Sequence, residues 1–404
     1  LGLEPAVEPN LLDLDSGGSF PVIQPASVPE VGHLVRQQRA QKQAIYPVGG
    51  RTTLDLGCPP LKHGIALDTT ALSPVIDYPA RDMTITVGAG IPVAELQNVL
   101  AKEGQWLPID VSQPERATLG GAIAANQSGP RRYGYGTLRD YVIGISFVTD
   151  EGVEVKAGGR VVKNVAGYDL MKLQIGALGT LGIVTQATLK LKPRPEASVT
   201  AVFGCAGAAL GGVLDVLHAS RSRPVAVELL NRDAVRLVPE LSAHSSQADW
   251  TVVVGFEEKA TTVRWQFETL LGELKAVPVQ NVAEIQAASG PWSALANLQT
   301  RSDSQFIGKA SVLPSRVAAS LQEWSPRLAG TPIHAHALNG VIWLHSQEPL
   351  NLGDTLTVRR CPPELKRTLS LWGKPGGDWE MMRHVKKTLD PDGVFNPGRL
   401  FGDL

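Results

Sequence analysis

Cysteine is scarce in this chain: three residues among 404, Cys58, Cys205 and Cys361, far apart and never paired as C-x-x-C. That spacing excludes a disulfide framework and any cysteine-ligated zinc or iron–sulfur cluster. An excess of charge is lacking too. Thirty-eight basic residues face 39 acidic ones, without a long run of either sign, so there is no electrostatic footprint for nucleic acid or anionic lipid. Nowhere do eighteen apolar residues follow one another, which excludes a helix that spans a membrane directly. The opening LGLEPAVEPNLLDLDSGG is acidic and broken by Pro and Gly where a signal peptide is basic and then apolar. A reduced, cytoplasmic protein is expected. No glycine is followed by Lys-Ser or Lys-Thr in the frame of a Walker loop, and no repeat of fixed period occurs.

What is present is the composition of an ordinary globular protein, 43% hydrophobic and 19% charged, with length for two or three domains. Residues 1–25 have no sustained period and read as a flexible lead-in. From Val28 the apolar residues Val28, Val31, Leu34 and Val35 recur at helical spacing, and AIYPV follows as a short strand ending in glycines. DMTITVGAG alternates as a strand; IPVAELQNVLAKEG reads as a helix, with Pro92 in its first turn and Gly104 at its C-terminus. Residues 119–195 carry glycine-punctuated strands. After Pro195 the pattern changes to alternating strands and helices, from SVTAVFG to GVIWLHS, which suggests a ferredoxin-like split-βαβ domain. The expected division is 26–197, 198–374, and a tail 375–404 whose amphipathic helix is stopped by Pro391. The fold class is α+β.

Three stretches can bring many backbone N–H groups to one ligand. Residues 47–54, PVGGRTTL, follow a strand, and glycines with positive φ would turn successive amides inward as a phosphate nest. ATLGGAIAANQSGP is small at most positions, with Asn126 and Ser128 as polar anchors. GALGTLGIV has glycines at intervals of three. Taken alone, the first is better read as an ordinary Gly-Gly turn, and the small residues of the second also suit tight helix packing. VGAGIPV with Asp110 about 20 residues on is a weak nicotinamide fingerprint, because Val93 fills the third glycine and no parallel βαβαβ half follows.

In order, YPVGGRTTL, ITVGAGIPVAELQNVLAKEGQWLPID, SQPERATLGGAIAANQSGPRRYGYGTLRDYVIGISFVTDEG, VVKNVAGYDLMKLQIGALGTLGIVTQATLKLKP and LDPDGVFNPGRL together resemble the FAD-binding module of the vanillyl-alcohol oxidase/p-cresol methylhydroxylase superfamily. KNVAGYDLMKL and a degenerate cap are similar to the FAD-binding E subunits of bacterial glycolate oxidases. The resemblance implies a two-subdomain FAD-binding domain, a ferredoxin-like cap, and a C-terminal helix returning to the FAD domain. It implies that Val48, Gly49, Gly50, Arg51, Thr52, Thr53 and Leu54 cradle the FAD pyrophosphate. Pro114, Thr118, Gly120, Gly121, Ala124, Asn126, Ser128, Gly129, Tyr133 and Gly134 would line the pyrophosphate and flavin. Gly182 and Ile183 would meet the adenine or ribitol side, and Asn396 the flavin edge. Residues 47–54 contain no histidine, so the FAD is expected to be non-covalent.

Relatives that oxidise D-2-hydroxy acids hold a divalent metal in a cap pattern like H-x-G-D-G-x-x-H. Three of this chain's eight histidines lie in PIHAHALNGVIWLH. His336 matches the first ligand and Gly340 is kept, but Leu338, Asn339 and Trp343 replace the others, and Trp372 stands near a further missing ligand. No metal is expected, His345 should lie beyond the Gly340 turn, and catalytic residues are not named. The implied role is an FAD-binding subunit of a glycolate oxidase, working with a homologous catalytic flavoprotein and an iron–sulfur subunit that would link it to the inner membrane. The alternatives are a stand-alone 2-hydroxyacid dehydrogenase using Arg131, Arg132 or Lys163 for the carboxylate, and a scaffold without catalysis. Trp343 and Trp372 are expected at the partner surface.

Overall fold

The computed structural model describes residues 10–14, 18–160, 168–242, 248–285, 290–301 and 303–403. Lys163 and the KNVAG half of the E-subunit motif lie outside them. The first layer is a four-stranded sheet in the order Leu11–Asp13, Ser19–Ile23, Gly64–Asp68, Ala44–Val48. Its first pair is an antiparallel hairpin and the other pairings are parallel. The lead-in reading therefore does not hold for residues 11–23. Phe20 and Leu14 are buried against Tyr46 and Ala66, and so short a hairpin carries too few residues to show a period. The helix Val28–Ala40 is capped by Ser27, whose hydroxyl accepts from Glu30 N–H, and it sets Val31 and Val35 on this sheet.

The second layer is antiparallel, in the order Val75–Asp77, Thr84–Gly88, Ile183–Lys190, Val142–Val148, Glu154–Gly158. Helices Val93–Ala101 and Leu119–Ala124 bury Val93, Leu96, Leu100, Leu119 and Ile123 in its core. Pro92 is the N-cap of the first of these, one position before the place expected for it.

The cap is one eight-stranded antiparallel sheet, its order running Val279–Ile285, Ala197–Cys205, Trp250–Glu258, Ala226–Asn231, Ile333–His336, Val341–Ser346, Phe306–Ser311, Leu356–Arg360. One face is covered by helices Leu210–Ala219, Ala260–Glu273 and Val317–Trp324. On the other face Trp292–Leu298 covers one half, and the remaining half looks onto the FAD-type domain. Arg131 bolts the two together: its guanidinium meets Asp110 at 2.7 Å and Glu257 of the cap at 2.8 Å, and lies over the rings of Trp106 and Trp292.

The helix Asp378–Leu389 returns to the first two layers. Buried Lys386 donates to the carbonyls of Thr180 (2.7 Å) and Phe395 (2.8 Å) and pairs with Asp390; Phe395 bridges in parallel to Ile45. Among the described residues no helix is long and apolar enough to cross a membrane.

Candidate functional site: a cleft between an amide nest and a cationic cap

The strand Ala44–Val48 empties into the loop 49–54. The N–H groups from Gly49 to Thr53 find no backbone acceptor among the described residues, so five successive amides are left for a ligand. The turn is made by Arg51, at φ 57°, and neither Gly49 nor Gly50 has positive φ. These glycines are needed for another reason. A Cβ on Gly50 would run into the carbonyl of Arg116, and one on Gly49 into the Thr118 hydroxyl. The loop thus lies flush against the segment 116–118. Thr118 N-caps the helix Leu119–Ala124 through Gly121 N–H (3.3 Å), and Arg51 is steadied by Asp68 at 3.0 Å.

The third glycine stretch docks on that helix, Gly176 N–H donating to Ile123 O (3.0 Å) and Leu178 N–H to Ala124 O (2.9 Å). Gly176, Leu178 and Gly179 all have positive φ, which folds the turn back across the cleft. Asn396 arrives from the other end of the chain, its amide donating to Leu178 O. Arg399 reaches the carbonyls of Leu54, Leu56 and Cys58. One continuous cleft results. Its inner arm meets Gly120, Gly182 and Ile183; its middle meets residues 48–54, Thr118, Gly121, Ala124 and Asn396. Its mouth is a cavity of about 210 Å³ between Asn126, Ser128 and the cap, smaller than a drug-sized site and suited to a small ligand.

The cap wall of this cavity follows from period-two alternation. On the strand Phe306–Ser311, Phe306, Gly308 and Ala310 face the cap core or its partner strands while Ile307 and Lys309 face the cavity. Lys309 stands opposite Trp343 in the neighbouring strand, and His336 is on the strand beyond. A bulge where Ile307 pairs with Arg360 but Gly308 with Val358 lets both Arg359 and Arg360 line the cavity. Arg360 is paired with Asp55. Arg359 and Lys309 lie within 6 Å of the Trp343 ring, at 5.8 and 5.9 Å. Arg132 enters from the opposite wall, donating to Ser128 Oγ at 3.1 Å.

These groups are held in unusual states. Burial, with help from Arg359 and Arg132, pulls Lys309 down to about 7. Burial also lowers Arg359 to about 10 and depresses Arg132. Behind the wall, His336 Nδ1 meets Glu228 Oε1 at 2.7 Å. Burial pushes Glu228 well above, and His336 down to about 3, so this is a neutral hydrogen bond rather than an ion pair. Trp343 Nε1–H donates to His336 Nε2 (3.4 Å), and that assigns the proton to Nδ1.

The structure brings Val48 to Leu54, Thr118, Gly120, Gly121, Ala124, Asn126, Ser128, Gly182, Ile183 and Asn396 to the cleft. It does not bring Pro114, Gly129, Tyr133 or Gly134 there. Pro114 O accepts from Ala94 N–H, Gly129 lies against Asp110, Gly134 against Val225, and Tyr133 packs on the cap core. Arg131 serves the interdomain ion pair rather than a substrate; Arg132 faces the cavity. His345 is not remote: the hairpin lays it on His334, with ring nitrogens 3.2 Å apart. Trp343 is 4% exposed, so it cannot present a partner surface. Trp372, half-buried, lines the cavity as well. Lys309, Arg359 and Glu228 carried no sequence signal beyond their alternation in apolar strands. Among the described residues no group of three His, Cys, Asp or Glu could hold a metal ion, and Trp343 fills the place nearest His336, so the residues present do not fit a metal centre.

Residues 21–158 match the family model of an FAD binding domain, and residues 192–312 with 366–400 that of the FAD-linked oxidase C-terminal domain. D-2-hydroxyglutarate dehydrogenase of Stutzerimonas stutzeri is 30% identical over 94% of this chain and 90% of its own. The chain belongs to the FAD-linked oxidases. Glycolate oxidase subunit GlcD of Bacillus subtilis is 28% identical over 94% of this chain and 88% of its own. Glycolate oxidase subunit GlcE of Escherichia coli is 36% identical over 41% of this chain and 47% of its own. A p-cresol methylhydroxylase structure superposes with a TM-score of 0.71 at 14% identity, covering 94% of this chain and 88% of that one, a likeness of fold alone. As an FAD-linked oxidase the chain is an oxidoreductase with FAD as cofactor. The unpartnered amides of residues 49–53 and the cleft running away from them on both sides fit a dinucleotide with a central pyrophosphate.

Proposed function

We propose that this FAD-linked oxidase is a flavoprotein subunit of a glycolate oxidase-type complex, and that a short 2-hydroxy acid binds in the cavity under the cap. The observation that carries the reading is that cavity's charge: Lys309, Arg132 and Arg359 line it with no carboxylate paired to them among the described residues. A small carboxylate supplies the missing charge, and Arg132 and Arg359 offer planar forks for it. The amides of residues 49–53, beside Thr118, Gly121 and Ala124, would hold the FAD pyrophosphate. Gly120, Gly182 and Ile183 take the inner end and Asn126 and Ser128 the flavin. Residues 47–54 offer no histidine, so the cofactor is held non-covalently. Bound there, the flavin accepts two electrons from the substrate carbon.

The likeness to GlcD and GlcE supports a complex with a homologous flavoprotein and an iron–sulfur subunit, located at the cytoplasmic side of the inner membrane through that partner. The chain's own three cysteines are dispersed and cannot ligate a cluster, so electrons need an external acceptor. The same cationic cavity favours a second reading, in which the chain oxidises a 2-hydroxy acid alone. Expression with and without candidate partners separates the two. Yellow protein that reduces a dye with glycolate only in the presence of a co-purifying iron–sulfur protein supports the complex; dye reduction by the isolated chain supports the second. Colourless protein that cannot be reconstituted with FAD overturns both.

A further inference from the structure

We infer that Lys309 is the proton acceptor for the substrate hydroxyl in this cavity. The inference rests on the proposed oxidation of a 2-hydroxy acid and adds to it the base that the reaction needs. Four groups facing the cavity or lying behind it could be considered. Asp55 is committed to Arg360. Glu228 is fully buried behind His336 and spends Oε1 on it. His336 is 1% exposed, and its Nε2 lone pair already faces two donors, Trp343 Nε1 and Gln299 Nε2, each at 3.4 Å. Its conjugate acid is held at about 3 by burial and by Arg132 and Lys309, too weak a base for a hydroxyl.

Lys309 differs on each count. Its side chain projects from a central cap strand across from Asn126 and Ser128, where the flavin is proposed. Its charged and titratable surroundings are Arg359 and Arg360 from Leu356–Arg360, Arg132 from the opposite wall, His336 backed by Glu228, and Asp55 bound to Arg360. Arg359 and Arg132 both oppose a third positive charge. Burial first, and then these two arginines, keep Nζ available as an amine near neutral pH, the condition for efficient general-base catalysis. The step balances. The hydroxyl proton would move to Lys309 Nζ, the α-hydrogen would leave with the electron pair of its C–H bond for the oxidised flavin, and the carbonyl of the 2-oxo acid would form. The resulting ammonium returns its proton to solvent.

The test uses FAD-loaded protein, with its partner subunits where these are required. In lysine labelled with 13C at Cε, one resonance should titrate near pH 7 in the wild type and be missing from Lys309→Arg. Lys309→Arg carries a fixed charge, as the protonated form of Lys309 does, and cannot accept a proton. It should retain its FAD and bind oxalate within about threefold of wild type, followed by flavin absorbance, while flavin reduction by glycolate falls roughly 100-fold or more. In the wild type that rate should fall as pH drops through about 7. Reduction by Lys309→Arg within about threefold of wild type overturns the inference and leaves the proposed oxidation standing. So does a Lys309 resonance that titrates like an exposed lysine. FAD-loaded wild type that no short 2-hydroxy acid reduces, alone or with partners, overturns the proposed function and the inference with it.

Discussion

The two ends of the cleft are both built for anions, by opposite means. At the nest the positive potential comes from five consecutive backbone amides and does not titrate. Under the cap it comes from side chains on several separate elements, crowded until burial changes their protonation. The nest is suited to a resident cofactor that must be held at any pH. The cavity is suited to a visitor, because its charge responds to occupancy and to protons.

Three substitutions probe that contrast. The largest effect on FAD binding is expected at the nest. Gly50→Ala places a Cβ against the carbonyl of Arg116, so the loop must lift off its neighbour, and the FAD dissociation constant should rise roughly tenfold or more, since about 1.4 kcal/mol suffices for that. Flavin absorbance after purification reads it, and a full complement of bound FAD would count against the nest. Next comes the bolt between the two ends. Arg131→Leu leaves Asp110 and Glu257 buried without their cation and should cost about 3–5 kcal/mol in urea unfolding; a loss under about 1 kcal/mol would mean that the domains are held by something else.

The smallest effect concerns pH. His334, His336 and His345 are all depressed below 6.5 by burial, the latter two to about 3 and about 4. Between those values and about 6.5 the unfolded chain binds more protons than the folded one, so stability falls as pH drops. Glu228 acts the other way above about 4.5, because its raised carboxyl holds a proton that the unfolded chain releases. Three histidines outweigh one glutamic acid. Replacing His334 by Leu should reduce the slope of unfolding free energy near pH 5.5 by about 1.4 kcal/mol per pH unit, and an unchanged slope would show that His334 does not titrate on unfolding.

The nest was legible in the sequence because a backbone site is written in consecutive residues. The glycines between a strand and a hydroxyl pair marked the loop, although the reason for them differed. Positive φ falls on Arg51, while Gly49 and Gly50 are required by the close approach of residues 116–118. That contact lies some distance along the chain and leaves no local trace. The second-domain strands were legible from alternation, and their eight-stranded antiparallel order was not, since register depends on pairing partners. Lys309, Arg359 and His336 meet only because three strand pairings and one bulge bring them together. Tyr133 and Gly134 fell outside the cleft for a related reason: small and aromatic residues serve domain packing as readily as ligand contact.

The bond from Arg399 to the carbonyl of Leu54 joins residues 345 positions apart, and Asn396 and Phe395 close on Leu178 and Ile45 beside it. During synthesis the loop 49–54 is made long before residues 395–399, which supply a wall of its cleft. A chain cut before residue 395 would keep the phosphate loop but lose the clasp around it, so the cleft is completed only when two distant segments meet.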